Sequence, residues 1–154
     1  MTAKSPDRQP RTALMPGSFD PFTIGHLDIL RRSLALFDRV IVCVGINSAK
    51  TSAAETEERV ESIRRIIADT PGAEVMAWDG LTVDAARKTG AIAMVRGVRS
   101  ATDYEYERNL ADLNRRISGI ETVLLTSLPE LSAISSSAVR ELSRYGHDIT
   151  QFLP

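Results

Sequence analysis

Four stretches of the chain hold residue types that can handle phosphate. Gly17-Ser18-Phe19-Asp20-Pro21-Phe22-Thr23-Ile24-Gly25-His26 puts two glycines, a hydroxyl and an imidazole around the predicted start of a helix. Free N–H groups and the positive dipole end at such a start attract anions. His26, in the first turn, can donate to a phosphate oxygen; taken alone it reads as a residue that orients a loop. Ser135-Ser136-Ser137 opens another predicted helix. One hydroxyl is enough for a cap, so three point towards phosphate. Lys50 and the run Arg96-Gly97-Val98-Arg99 add cations. No nucleophile–base pair is offered, no Gly-x-Gly-x-x-Gly follows the first strand, and the P-loop pattern is absent.

The elements that must position these residues alternate between two periods. Strands are predicted over 12–15, 39–46, 73–77, 91–95 and 121–126. Helices are predicted over 25–37, 56–68, 81–89, 103–117 and 135–145. Leu27, Leu30, Leu34 and Phe37 keep helical spacing, as do Val60, Ile63, Ile66 and Ile67. The run 39–46 is nearly all β-branched, as in a strand buried on both faces. This order predicts an α/β protein: a single Rossmann-like domain with a five-stranded parallel sheet and helices on both faces. Ligands of such sheets sit beyond the carboxyl ends of the strands, where the strand order switches. Glycines, hydroxyls and cations gather there in this chain.

Composition agrees with one soluble domain: 154 residues, 43% apolar, 25% charged. Residues 1–11 are polar with two prolines and read as a loose tail, not a signal peptide, before a domain over 12–154. No apolar stretch approaches the ~20 residues a membrane span needs, so a cytoplasmic protein is expected. A net charge of −1 argues against coating nucleic acid or an anionic membrane. Yet 16 of the 19 cations are arginine, the side chain suited to bidentate phosphate contact. The lone Cys43 excludes an internal disulfide and reads as core.

Two signatures make the phosphate reading specific. Thr23-Ile24-Gly25-His26 resembles the (His/Thr)-x-Gly-His motif of the nucleotidyltransferase superfamily. Ile134-Ser135-Ser136-Ser137-Ala138-Val139-Arg140 resembles its second signature, Ile-Ser-Ser-(Ser/Thr) with a following basic residue. With Pro16 to Pro21, Arg96 to Arg99 and Asp103 to Glu107, the chain is similar from about Leu14 to Pro154 to phosphopantetheine adenylyltransferase of coenzyme A biosynthesis. The resemblance implies ATP plus 4′-phosphopantetheine giving dephospho-CoA and pyrophosphate, with Mg²⁺ carried mainly by the ATP phosphates. It implies His26 as transition-state stabiliser, with Lys50 and Arg96 holding the acceptor phosphate. Ser18 would touch both substrates, and Thr82 the pantetheine arm. ATP would meet Phe19, His26, Gly97, Val98, Arg99, Glu107, Leu131, Ser132, Ala133, Ile134, Ser135, Ser136 and Ser137. A homohexamer and feedback by coenzyme A are implied in the same way.

Plainer readings stand beside these. Lys50 could be a solvated loop cation. A cation as close to a buried strand as Arg96 needs a partner, which could be Asp103 or Glu107 rather than a ligand. Tyr106 is placed towards the acceptor and Tyr104 in packing; Trp78 reads as core or rim. Rival functions are transfer to nicotinate mononucleotide or a polyol phosphate, and a nucleotide-binding regulatory module without turnover.

Overall fold

The computed structural model describes residues 8–154, so residues 1–7 of the expected tail lie outside the described part. Residues 8–11 are tied down: the Arg8 guanidinium and the Arg11 N–H donate to Asp38 Oδ2 at 3.0 and 2.8 Å. The elements are β1 (Thr12–Gly17), α1 (Ile24–Ser33), β2 (Arg39–Gly45), α2 (Ala53–Ile67) and β3 (Ala73–Trp78). They continue with α3 (Thr82–Thr89), β4 (Ala93–Val98), α4 (Ala101–Ser118), β5 (Glu121–Thr126) and α5 (Ser136–Arg144). The sheet order is β3-β2-β1-β4-β5, and every neighbouring pair is parallel. The order reverses between β1 and β4.

Strand alternation sorts the core into two layers. Ala13, Met15, Val40, Val42 and Val44 meet Leu27, Ile29 and Leu30 of α1 and Val60, Ile63 and Ile67 of α2. Leu14, Ile41, Cys43 and Met94 face the other way, onto Val83, Ala85 and Ala86 of α3. Helices therefore cover both faces. No helix among the described residues is long and apolar enough to cross a membrane.

Several predicted boundaries move; β1 runs on through Pro16 and Gly17, paired with Cys43 and Val44 of β2. Helix α1 stops at Ser33, whose hydroxyl bonds back to the Ile29 carbonyl at 2.6 Å, and residues 34–36 form a turn. Helix α2 starts at Ala53, because Ser52 and Glu55 form a capping box that the apolar periodicity does not register. Strand β4 is Ala93–Val98, so Arg96, Gly97 and Val98 lie in the strand, not after it. Their ladder partners are Leu124, Leu125 and Thr126 of β5.

Strand β1 pairs with β4 only at Ala13–Ala93 and Leu14–Met94. Beyond those pairs the strands part, and the crevice opens. Helix α1 lies close over β4 at Gly97, where an added Cβ would sit 3.1 Å from Ile29 Cγ1. Replacing Gly97 with valine should cost about 1–3 kcal/mol by overpacking. Urea unfolding at neutral pH measures it; an unchanged midpoint would show that α1 can lift off the sheet without penalty.

Candidate active site

A cavity of about 510 Å³ occupies this crevice, between the carboxyl ends of β1 and β4 and the N-termini of α1 and α5. Of the residues expected at the nucleotide, Ser18, Phe19, His26, Gly97, Arg99, Glu107, Leu131, Ile134, Ser135, Ser136 and Ser137 line it. Val98, Ser132 and Ala133 do not: Val98 is buried, and Ser132 turns its hydroxyl to the Pro129 carbonyl at 3.0 Å. Asp103, Tyr106, Ser127 and Arg140 line the cavity as well.

Thr23 caps α1, and His26 at the third helical position completes a reciprocal capping box. The Thr23 N–H donates to His26 Nδ1 at 2.9 Å. With Nδ1 accepting, the neutral ring carries its proton on Nε2, the nitrogen left for the cavity. Phe19 stands edge-on to the imidazole at 5.0 Å between centroids, and Phe22 packs at 5.5 Å. Burial pushes the His26 pKa down to about 4, with the nearby charges of Arg96 and Arg99 adding to the effect. His26 is therefore an uncharged donor at neutral pH.

Arg96 spans the gap between the parted strands. Its Nη1 donates to the Pro16 carbonyl at 2.5 Å. Its Nε and Nη2 make a fork to the Glu107 carboxylate at 2.8 and 2.6 Å. Burial alone would lower the Arg96 pKa, but the bonds and charge of Glu107 raise it above its ordinary value. Glu107 is 4% exposed, and with the fork formed its carboxylate serves Arg96. Arg99 is likewise tied to Asp103, whose Oδ2 accepts the Arg99 N–H at 3.0 Å.

The loop between β1 and α1 is held from outside by its carbonyls. Arg59 Nη1 donates to the Ser18 carbonyl at 3.0 Å, and Arg140 Nη1 to that of Asp20 at 2.5 Å. Ser136 Oγ donates to the Pro21 carbonyl at 2.8 Å. Ser135 is the N-cap of α5, accepting the Ala138 N–H at 3.1 Å, and Ser137 accepts from Arg140 at 3.3 Å. Each serine hydroxyl thus has a partner within the protein, and the first free N–H groups of α5 remain for an anion.

A second cavity of about 390 Å³ shares Pro16, Gly17, Arg96 and Glu107 with the first. Thr82, Trp78, Leu110, Leu113 and Asn114 line its largely apolar walls. The Thr122 hydroxyl, of a residue that also lines it, is buried without a hydrogen-bond partner among the described residues. Lys50 borders neither cavity; it lies in a third depression beside Phe19, Asp20 and Arg59.

Comparison with known proteins agrees with this arrangement. Residues 14–142 match the cytidylyltransferase-like family model. A phosphopantetheine adenylyltransferase of Porphyromonas gingivalis is 57% identical over 142 residues, covering 92% of this chain and 93% of that protein. One from Phocaeicola vulgatus is 50% identical over 144 residues, covering 94% and 95%. The chain belongs to the phosphopantetheine adenylyltransferase family. Its fold recurs in a bifunctional NMN adenylyltransferase/ADP ribose pyrophosphatase of Francisella tularensis, solved with AMP and a manganese ion. There the TM-score is 0.68 at 14% identity, covering 94% of this chain and 44% of that one.

Several arginine contacts of this chain had no local signal. Arg59 and Ser18 are 41 positions apart in sequence, and Arg140 and Asp20 are 120 apart. The serine signature marks Arg140 as its basic residue, but not the contact of Arg140 to the Asp20 carbonyl.

The histidine's environment has a measurable consequence. The unfolded chain, with an ordinary value near 6.5, takes up the proton first on acidification. His26 thus contributes stability above about pH 6.5 that is lost as pH falls towards 4. Imidazole NMR of the substrate-free protein should show one of the two histidines titrating near 4. A His26 midpoint at the ordinary value would contradict the buried, cation-flanked site.

Proposed function

We propose that this protein transfers AMP from ATP to 4′-phosphopantetheine. An acceptor phosphate oxygen attacks the α-phosphorus of ATP in line. The new P–O bond gives dephospho-CoA as the α–β bridging bond breaks, and pyrophosphate leaves with that electron pair. The nucleophile is already anionic, so neither a general base nor a covalent enzyme intermediate is needed. One observation carries the reading: two cavities, one ringed by helix N-termini and one largely apolar, share a wall at Pro16–Gly17 and Arg96. The triphosphate suits the first and a pantetheine arm the second, so the reacting phosphates meet at that wall.

The roles proposed here combine the sequence motifs with the geometry of the two cavities. His26 donates its Nε2 proton to the equatorial oxygens as charge grows on phosphorus. A neutral ring can do this without first losing a counter-charge. Arg96 keeps its fixed positive charge at the wall, where the acceptor phosphate would sit. Ser18, Gly97 and Arg99 flank the triphosphate. Leu131, Ile134 and the N-terminus of α5 form its far side. Lys50 reaches the acceptor only if the loop after β2 folds over, which suits the free stem of a lysine.

Magnesium enters as MgATP. Among the described residues no group of three metal-ligating side chains forms a cage, and the carboxylates of Asp103 and Glu107 face arginines. In this reading the ion would be held mainly by the phosphate oxygens of ATP. Residues 12–154 are taken as the catalytic domain. A cytoplasmic location fits two charged substrates that do not cross a bilayer unaided. A homohexamer is proposed with it, on the family resemblance and on α4, where Glu107 is the one buried residue of 18 and the exposed Tyr104 lines neither substrate cavity.

Pyrophosphate release from MgATP and a panel of phosphorylated acceptors tests the assignment. Release is expected with 4′-phosphopantetheine; release with nicotinate mononucleotide alone would transfer the chain to the rival reaction. The His26→Ala variant should lose at least ~100-fold in kcat with its fold retained. Lys50→Ala should raise the acceptor KM, and an unaltered KM and kcat would return Lys50 to solvent. Because Trp78 is the only tryptophan and lines the second cavity, acceptor binding should change the intrinsic fluorescence.

A further inference from the structure

We infer that Arg59 of α2 is a positioning residue for adenylyl transfer, fixing the Ser18–Phe19 peptide and, through Phe19, the imidazole of His26. This rests on the functional reading above and extends it to a residue outside both substrate cavities. Arg59 lines only the third depression, behind the β1–α1 loop. Its fork ends on that loop twice: Nη1 on the Ser18 carbonyl at 3.0 Å, and Nη2 on Asp20 Oδ2 at 3.4 Å. The arginine side chain is 17% exposed, so the charge is held in place rather than waving in solvent. Such a fork sets direction in a way a lysine ammonium does not.

The geometry explains what the fork accomplishes. In a planar trans peptide the C=O and N–H point to opposite sides. With the Ser18 carbonyl pulled towards α2, the Phe19 N–H is turned away from α2. Phe19 has φ 49°, a left-handed conformation that a bulky residue adopts only when its surroundings enforce it. Gly17 permits that conformation, since a Cβ there would lie 2.9 Å from the Phe19 ring. The same ring abuts His26 edge-on at 5.0 Å. Arg59, the Ser18 carbonyl, the Phe19 backbone, the Phe19 ring and the imidazole form one continuous chain of contacts.

The test compares Arg59→Gln and Arg59→Lys with the parent in the pyrophosphate-release assay, alongside thermal melts and His26 NMR titration. Arg59→Gln should lower kcat roughly 10- to 100-fold, the scale of an ångström-level misalignment. KM for ATP and acceptor should move much less, and Tm should change little. Lysine should restore part of kcat. With Phe19 loosened, water reaches the imidazole, and its midpoint should climb from about 4 towards 6.5 in Arg59→Gln. A kcat within twofold of the parent would overturn the proposal, as would a kcat loss that only follows a loss of folded protein. If the parent used another acceptor from the panel, the substrate assignment would fall and the kcat ratio on that acceptor would decide Arg59. If no acceptor reacted, an unmoved His26 titration in Arg59→Gln would overturn the proposal and a raised one would uphold it.

Discussion

The site depends on one guanidinium placed where two parallel strands stop pairing. Past Leu14 and Met94, β1 and β4 exchange no further ladder contacts, and Arg96 closes the break with a bond to the Pro16 carbonyl. A cation in that position would be costly if bare. The fork to Glu107 pairs the charge and sets its plane. The same pair forms part of the wall of both cavities, so the fold's switch point and the junction of the two cavities are one location.

Around that pair, charge is distributed by restraint rather than abundance. Arg99, Arg59 and Arg140 each bond to a carboxylate or a carbonyl, so the arginines arrive oriented. The histidine among them is uncharged, for reasons of burial first and cationic neighbours second. Fixed positive ends, free helical N–H groups and a neutral donor suit phosphates that gain charge briefly. They require little reorganisation when that charge appears.

The fold was largely legible because hydrophobic period differs between helix and strand. The pattern 39–46 and the spacing of Val60, Ile63 and Ile67 dictate β2 and α2. It was less legible where polar residues set a boundary: Ser52 with Glu55 begins α2 earlier than any apolar residue requires. Strand β4 ran on through Arg96 because pairing with β5 outweighs a charged side chain in the middle. Of the cavity lining, short motifs pointed to the residues contiguous with them, Ser18, His26 and the serines. Val98, Ser132 and Ala133 carried the motif's neighbourhood but not its orientation. Arg96 had two open readings; the bidentate contact to Glu107 shows the ion pair, and the pair also borders the cavity. Long-range carbonyl contacts such as Arg59 to Ser18 follow from tertiary geometry alone, so no local pattern encodes them.

The bare backbone at Gly97 bears on the dimensions of the active centre. With no methyl to hold α1 away, the helix rests almost on the sheet, and Ile29 fills the space. The breadth of the cleft between imidazole and guanidinium is therefore set by the thickness of the layer beneath them. Any remodelling that widened this cleft for a bulkier acceptor would have to begin below the cavity floor, at a position bearing only hydrogen.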